Sequence, residues 1–161
     1  MKVCIIGDGL VSLTLANVLI KKDLFVDILR TKKSIRYDKS RTLGISKTNV
    51  DYLNSEIINI NKILWEIKKI KIFTEKDTKK EILKFDDENS QIFSIIRNHQ
   101  LQKLLINKLK NSKLIKFKSN LKNLNVNKDL YNLIIHCDPT HIFTKKFFSK
   151  KIKKNYYSLA Y

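Results

Sequence analysis

Glycine is scarce in this sequence: only Gly7, Gly9 and Gly44 occur among its 161 residues. Proline occurs once, at Pro139, and there is no Pro/Ser-rich stretch and no internal repeat, so composition marks no domain boundary. Cysteine occurs twice, at Cys4 and Cys137, each in an apolar, strand-like run where a buried thiol acting as a small hydrophobe is expected rather than a disulfide. No Cys/His spacing suggests zinc. Uninterrupted apolar runs are short, well below the roughly eighteen residues a spanning helix needs. The start Met1-Lys2-Val3-Cys4-Ile5-Ile6 meets Gly7 without the apolar core and cleavage site of a signal peptide. The expectation is a soluble, cytoplasmic chain.

Acidic residues are also few, 15 against 33 basic ones, for a net charge of +18. Such a field attracts phosphate in any form. Only Arg30, Arg36, Arg41 and Arg97 are arginine, however, the residue suited to bidentate phosphate and base contacts. The lysines run along the whole chain among many Asn and Ile rather than in a patch, so no nucleic-acid partner is expected. A basic module for nucleic acid or membrane stays as an alternative carried by charge alone.

The apolar content of 43% with 9% aromatics is that of a globular protein, and the length suits one domain or part of a larger one. Lys2 to Ile6 is a β-branched run. It is followed by Gly7-Asp8-Gly9, a helical pattern over residues 10–22 and a second apolar run at 24–29. Strand, glycine turn, helix and strand within residues 1–30 form a βαβ unit, which implies a parallel sheet and a right-handed crossover. Beyond it we expect a polar loop over 31–46, a helix over 47–65 and a hairpin at about 69–85. A clear amphipathic helix over 98–110 follows, with strands at 114–118 and 130–137 and Pro139 ending the last of them.

Two of the three glycines stand between the first strand and the first helix. In a dinucleotide fold the first glycine permits the tight turn, the second lets the backbone approach a pyrophosphate, and the third lets helix and strand pack closely. Phosphates then sit at the helix N-terminus, where N–H groups and the helix dipole favour them. Here the pattern is Gly7-Asp8-Gly9-Leu10-Val11-Ser12, with a small serine in third place. An acidic residue that accepts a hydrogen bond from the adenosine ribose is expected at the end of the second strand, and Arg30 stands there instead. A guanidinium has no acceptor. It suits a 2′-phosphate, so an NADP-binding or non-catalytic Rossmann remnant is the chemical alternative.

Three further segments carry a family resemblance. Lys39-Ser40-Arg41-Thr42-Leu43-Gly44-Ile45-Ser46 resembles the Arg-x-x-Ala-hydrophobic-Ser motif of the ubiquinone-biosynthesis hydroxylases, a branch of the FAD-dependent aromatic hydroxylases. The resemblance implies that Arg41 reaches FAD and that Gly44 lets the chain pass close to it. Ile95-Ile96-Arg97-Asn98-His99-Gln100-Leu101 is similar to the family's Val-x-Asn-x-x-Leu lead into a helix, which places Asn98 against the flavin nucleotide; Asn98 is also a good helix N-cap. His136-Cys137-Asp138-Pro139-Thr140-His141 is similar to the family's strand end Gly-Ala-Asp-Gly-Ala-Asn-Ser, which assigns Asp138 to the pyrophosphate region; Pro139 and His136 replace glycines.

The resemblance implies an α/β, Rossmann-like FAD-binding parallel sheet with a small inserted β-hairpin, truncated before most of the substrate domain. Residues 1–161 would be a single incomplete FAD-binding domain. Its hairpin at about 69–85 would belong to the substrate-side sheet, its return to the FAD domain would span about 95–142, and a basic tail at 143–161 would begin the substrate sheet. The implied activity is that of a monooxygenase in which NAD(P)H reduces FAD and O2 supplies the oxygen placed on a polyprenylated aromatic ubiquinone precursor. The cofactor-binding set is Gly7, Gly9, Leu10, Ser12, Arg30, Arg41, Gly44, Asn98 and Asp138. No catalytic base and no metal site is assigned, since His99, His136 and His141 are too scattered for a triad. A polyprenyl tail implies peripheral contact with the inner face of a membrane. Residues 143–157, with Phe147, Phe148 and Ile152 among lysines, have a composition suited to anionic lipid. The 161-residue chain by itself is expected to be inactive.

Overall fold

The structure, a computed structural model, describes residues 1–30, 39–74, 80–86, 91–119, 128–142 and 146. The first strand, β1 (Lys2–Ile6), lies beside β2 (Phe25–Arg30) in parallel register, Cys4 opposite Asp27 and Ile6 opposite Leu29. Helix α1 (Leu10–Ile20) connects them. It contains no glycine or proline, and the chain turns back after it through Asp23, whose φ of 56° is the left-handed conformation usually taken by glycine after a helix. Aspartate tolerates that region better than most residues, which lets a glycine-poor sequence close the turn.

Two later strands, β8 (Ile115–Ser119) and β9 (Leu133–His136), complete a main sheet of four parallel strands in the order β8-β2-β1-β9. The sheet grows outward from β1 in both directions. Its chain order therefore reverses between β1 and β9, the kind of switch point where open α/β sheets hold ligands. One face carries Val3, Ile5, Val26 and Ile28, all fully buried under α1 and a second long helix, α3 (Asn98–Lys110). The two helices are tied by Asn17, whose Nδ2 donates to the Leu13 and Leu105 carbonyls at 2.8 and 3.4 Å.

The opposite face holds a small cluster of Cys4, Ile6 and Leu29 with Tyr131 and Ile134 packed against it. Asp27 is buried in the same layer. Its Oδ2 accepts from Tyr131 Oη at 2.8 Å and lies 2.7 Å from Lys118 Nζ and 3.4 Å from Lys2 Nζ. Burial alone would raise the Asp27 pKa. The hydrogen bonds from Lys118 and Tyr131 and the charges of both lysines outweigh it and hold the carboxyl below its usual range. Burial, and then the Asp27 charge, push the Cys4 thiol up to about 11, so it stays a neutral, inert hydrophobe.

Strands β3 (Thr42–Ser46), β4 (Leu64–Ile67) and β7 (Phe93–Arg97) form a second, antiparallel sheet in the order β3-β7-β4. This sheet departs from the sequence-based expectations. The stretch expected as loop ends in β3, and the lead into α3 is itself a strand, β7, paired with β3 from Thr42–Arg97 to Ser46–Phe93. The helix expected over 47–65 stops early. Helix α2 is Lys47–Tyr52, a π-helical turn spans Leu53–Ile57, and Ile58 is already extended, which places Trp65 on a strand. Val50, Leu53, Ile57 and Ile60 are all buried, as the helical spacing suggested. The turn is held by polar contacts instead of a continued helix: Asn54 Oδ1 accepts from Ile60 N at 2.8 Å, and Lys108 Nζ donates to the Ile57 carbonyl.

The expected hairpin forms from β5 (Lys69–Phe73) and β6 (Glu81–Asp86), a separate two-stranded antiparallel sheet. Its strands leave Ile72, Phe73, Ile82, Leu83 and Phe85 exposed. Among the described residues no helix is long and apolar enough to cross a membrane. Arg36, the polar loop over 31–38, the hairpin turn at 75–79 and nearly all of the basic tail fall outside the described residues.

Replacing Asp27 by asparagine leaves Lys118 and Lys2 without their counter-charge and is expected to cost about 2–3 kcal/mol at neutral pH. Because the folded pKa lies below the ordinary 3.8, this contribution is complete above that value and disappears as pH falls through the folded pKa. Urea unfolding of both proteins at pH 6 and near pH 3 checks it: the gap should narrow in acid, and a gap independent of pH would contradict it.

Candidate functional site

At the carboxyl ends of β1 and β9 lies a cleft of about 400 Å³, lined by Gly7, Asp8, Gly9, Arg41, Cys137, Asp138, Pro139 and Thr140. One wall is the turn that leaves β1. The other is the turn that leaves β9, and both open at the switch point of the sheet. A hydrogen bond from the Cys137 N–H to the Ile6 carbonyl at 2.9 Å joins these walls, and the Gly7 N–H ties the β1 turn to β2 through the Leu29 carbonyl at the same distance.

Gly7 has φ +111°, a conformation that L side chains rarely adopt, and a Cβ there would stand 3.2 Å from both Asp138 Cβ and Asp138 N. The glycine is thus required twice, by its own backbone and by the neighbouring wall. Gly9 differs. Its φ of −74° is open to any residue, and a Cβ built on it meets nothing within 4 Å among the described residues. Packing among the described residues does not call for glycine at position 9.

Gly9 is the N-cap of α1, with no side-chain cap, and no acidic residue stands in the first turn. Leu13 N donates to the Gly9 carbonyl at 3.0 Å, so the ladder begins there and the N–H groups of Leu10, Val11 and Ser12 precede it. Their partial positive charge adds to the helix dipole at the lip of the cleft. Ser12 takes the third motif position as a fully buried residue, where its small size serves helix–strand packing, although its hydroxyl is buried without a partner among the described residues.

The remaining expected residues do not all line the cleft. Arg41 lines the cleft, and Asp138 faces it from the β9 turn, where its Oδ1 accepts from Thr140 N at 2.8 Å and Thr140 Oγ1 at 2.7 Å. That pair of bonds fixes the turn even with Pro139 in place of glycine. Asn98 stands behind the lining: its N–H donates to the Arg41 carbonyl at 3.0 Å, joining the start of α3 to the start of β3. It does not cap the helix as expected. Arg97 is the N-cap, and no side-chain capping bond forms. Gly44 is not in the lining; it lies on β3 against the Phe93 ring, where an added Cβ would sit in ordinary contact at 3.5 Å.

Arg30, at the end of β2, is not in the cleft lining and stands beside Asp8. Its guanidinium carbon lies 4.5 Å from the centre of the Phe117 ring, and its Nε is 3.8 Å from Asp8 Oδ2. Motif reasoning gives neither Asp8 nor Phe117 a role, although Asp8 stands in full view between the two glycines. Gln102 adds a contact no motif signals, its Nε2 donating to the Asp8 carbonyl at 3.3 Å and bracing the turn from α3. At the edge of the other wall the rings of His136 and His141 are 5.9 Å apart; burial, then the His141 charge, lower the His136 pKa. Among the described residues no group of His, Cys, Asp and Glu is placed to hold a metal.

Solved structures share this fold. The chain is similar to the probable FAD-dependent monooxygenase PqsL from Pseudomonas aeruginosa, at 8% identity and a TM-score of 0.71 over 98% of this chain and 48% of that one. It is similar to the p-nitrophenol 4-monooxygenase PnpA from Pseudomonas putida, at 14% identity and a TM-score of 0.60 over 73% of this chain and 31% of that one. A third is a 2-methyl-3-hydroxypyridine-5-carboxylic acid oxygenase, at 13% identity and a TM-score of 0.60 over 73% and 31%. The sequence matches no protein-family model and no curated protein. At such identities the shared property is the fold, and the chain spans less than half the length of these structures.

Gly7 to alanine is expected to destabilise the protein by about 1–3 kcal/mol through backbone strain and the contact with Asp138. Gly9 to alanine should stay within about 1 kcal/mol, since only the cap preference changes. Paired thermal melts check the contrast, and equal losses at both positions would contradict it.

Proposed function

We propose that this chain is the FAD-binding part of a flavin-dependent aromatic monooxygenase, with the cofactor's pyrophosphate at the amino end of α1. The observation that carries the reading is Gly9: a glycine that packing among the described residues does not need, on an uncapped helix end, at the switch point of a parallel sheet. The three solved structures named above are FAD-dependent or aromatic-ring oxygenases, which supports the same class.

Bound FAD would supply the redox and oxygen chemistry. The chain's own residues supply binding and orientation. The N–H groups of Leu10, Val11 and Ser12 at the free end of α1 would meet phosphate oxygens, and Arg41, in the cleft lining, would bring a positive charge to the same region. Gly7 keeps the β1 and β9 turns in contact, while Thr140 holds the Asp138 carboxylate in a fixed direction. Asn98 anchors the Arg41 backbone.

The finer reading is a polyprenylated ubiquinone precursor as substrate, NAD(P)H as reductant and peripheral contact with a membrane. It is supported by the motif likeness around Arg41, Asn98 and Asp138. The exposed apolar residues of the β5–β6 hairpin suit a place in a substrate-side sheet.

The visible spectrum of the purified chain tests the central proposal. A flavin band that denaturation releases as FAD is expected, and a colourless protein unmoved by added FAD overturns it. Gly9 to valine should abolish the band while the melt stays near that of the parent. The 161-residue chain alone is expected to bind FAD without oxidising NADPH; oxidation stimulated by a quinone precursor would show instead that this length suffices for turnover.

A further inference from the structure

We propose that the carboxylate that accepts the adenosine ribose hydroxyl has moved from the end of β2 to the glycine turn, where Asp8 supplies it and Arg30 positions it. This rests on the dinucleotide reading above. The end of β2 is the ordinary place for that acceptor, and Arg30 has none to offer.

The surroundings of Arg30 show what replaces it. Its guanidinium lies over the Phe117 ring at 4.5 Å, which restricts the plane in which it can turn. Its Nε points toward Asp8 Oδ2 at 3.8 Å, close enough for charge attraction and too far for a hydrogen bond, and among the described residues that buried Nε has no other partner. Asp8 in turn lines the cleft between Gly7 and Gly9, and its carbonyl is held by Gln102 from α3. A carboxylate therefore stands beside the end of β2 in spite of the arginine. It reaches that position from β1.

The charge of Asp8 also decides against the obvious alternative. A phosphate on the ribose would bring a second anion next to Asp8 and compete with it for a guanidinium that already has an anionic neighbour. A hydroxyl donates to the carboxylate without that conflict. The other carboxylate of the cleft, Asp138, uses Oδ1 on the backbone N–H and hydroxyl of Thr140 and belongs to the opposite wall. Asp8 is thus the acceptor for an unmodified ribose, as in FAD or ADP, and Arg30 sets its direction.

Calorimetric titration of the 161-residue chain with FAD, ADP, 2′-deoxy-ADP and 2′,5′-ADP tests this. ADP should bind about tenfold more tightly than 2′-deoxy-ADP, the size of one hydrogen bond to a charged acceptor. Asp8→Ala should erase the preference for ADP over its deoxy form, and Arg30→Met, which keeps an apolar stem against Phe117, should narrow it. The wild-type comparison stands even if a variant folds poorly. Equal binding of ADP and 2′-deoxy-ADP overturns the proposal while leaving the dinucleotide site intact. A wild-type preference for 2′,5′-ADP that Arg30→Met removes overturns it in favour of a phosphate-reading arginine. Binding of none of the four overturns both this proposal and the reading beneath it.

Discussion

The contact between Gly7 and the backbone of Asp138 is the constraint on which the cleft depends. Two parallel strands leave the sheet side by side, and both must turn at once to open a space between them. With a side chain at position 7, the β1 turn could not keep its φ of +111° or let the β9 turn approach to within 3.2 Å of that Cβ. Once that contact is made, α1 begins at the right height to direct its uncapped end into the opening, and Asp138 and Thr140 form the facing wall. The rest of the sheet provides the rigid base: Val3, Ile5, Val26 and Ile28 under two helices on one side, Cys4, Ile6 and Leu29 on the other.

Charge acts in this molecule at a few places rather than through the total. The net +18 is spread over lysines along the whole chain. Among the described residues the hairpin carries its own ion pairs, Lys69 and Lys84 with Asp86 and Lys71 with Glu81, and the main sheet carries two further charged groups. In one, Lys2, Lys118 and Tyr131 surround the buried Asp27 and tie β1, β2, β8 and the segment leading into β9 into a unit. In the other, Arg30, Asp8, Arg41 and Asp138 stand around the cleft mouth with both signs present. A buried carboxylate is held charged by its neighbours in the first group. In the second, charges of both signs line or border a cleft open to solvent.

The βαβ unit and α3 could be read from the sequence, the first because two short apolar runs, buried along their length, flank Gly7 and Gly9 and a helical stretch, the second because its apolar residues form one stripe; the hairpin showed as two short runs around a charged turn. The second sheet could not. Strands β3, β7 and β4 are four or five residues long and pair across long sequence separations, so Gly44 opposite Ile95 leaves no local trace. The spacing of Val50, Leu53, Ile57 and Ile60 matches a helix because all four do face the core, yet Asn54 and Lys108 hold the backbone in another shape. Of the site, Gly7, Gly9, Arg41 and Asp138 were legible by motif. Asp8 reads in sequence as the variable residue between two glycines, since its significance depends on Arg30 and Phe117, which arrive from β2 and β8.

The central claim is that the glycine turn holds the nucleotide half of FAD, and competition between ligands tests it most directly. FAD added to the chain should bind with a change in flavin fluorescence that ADP reverses and riboflavin does not. Displacement by riboflavin with no effect of ADP would place the cofactor's grip elsewhere and contradict the account.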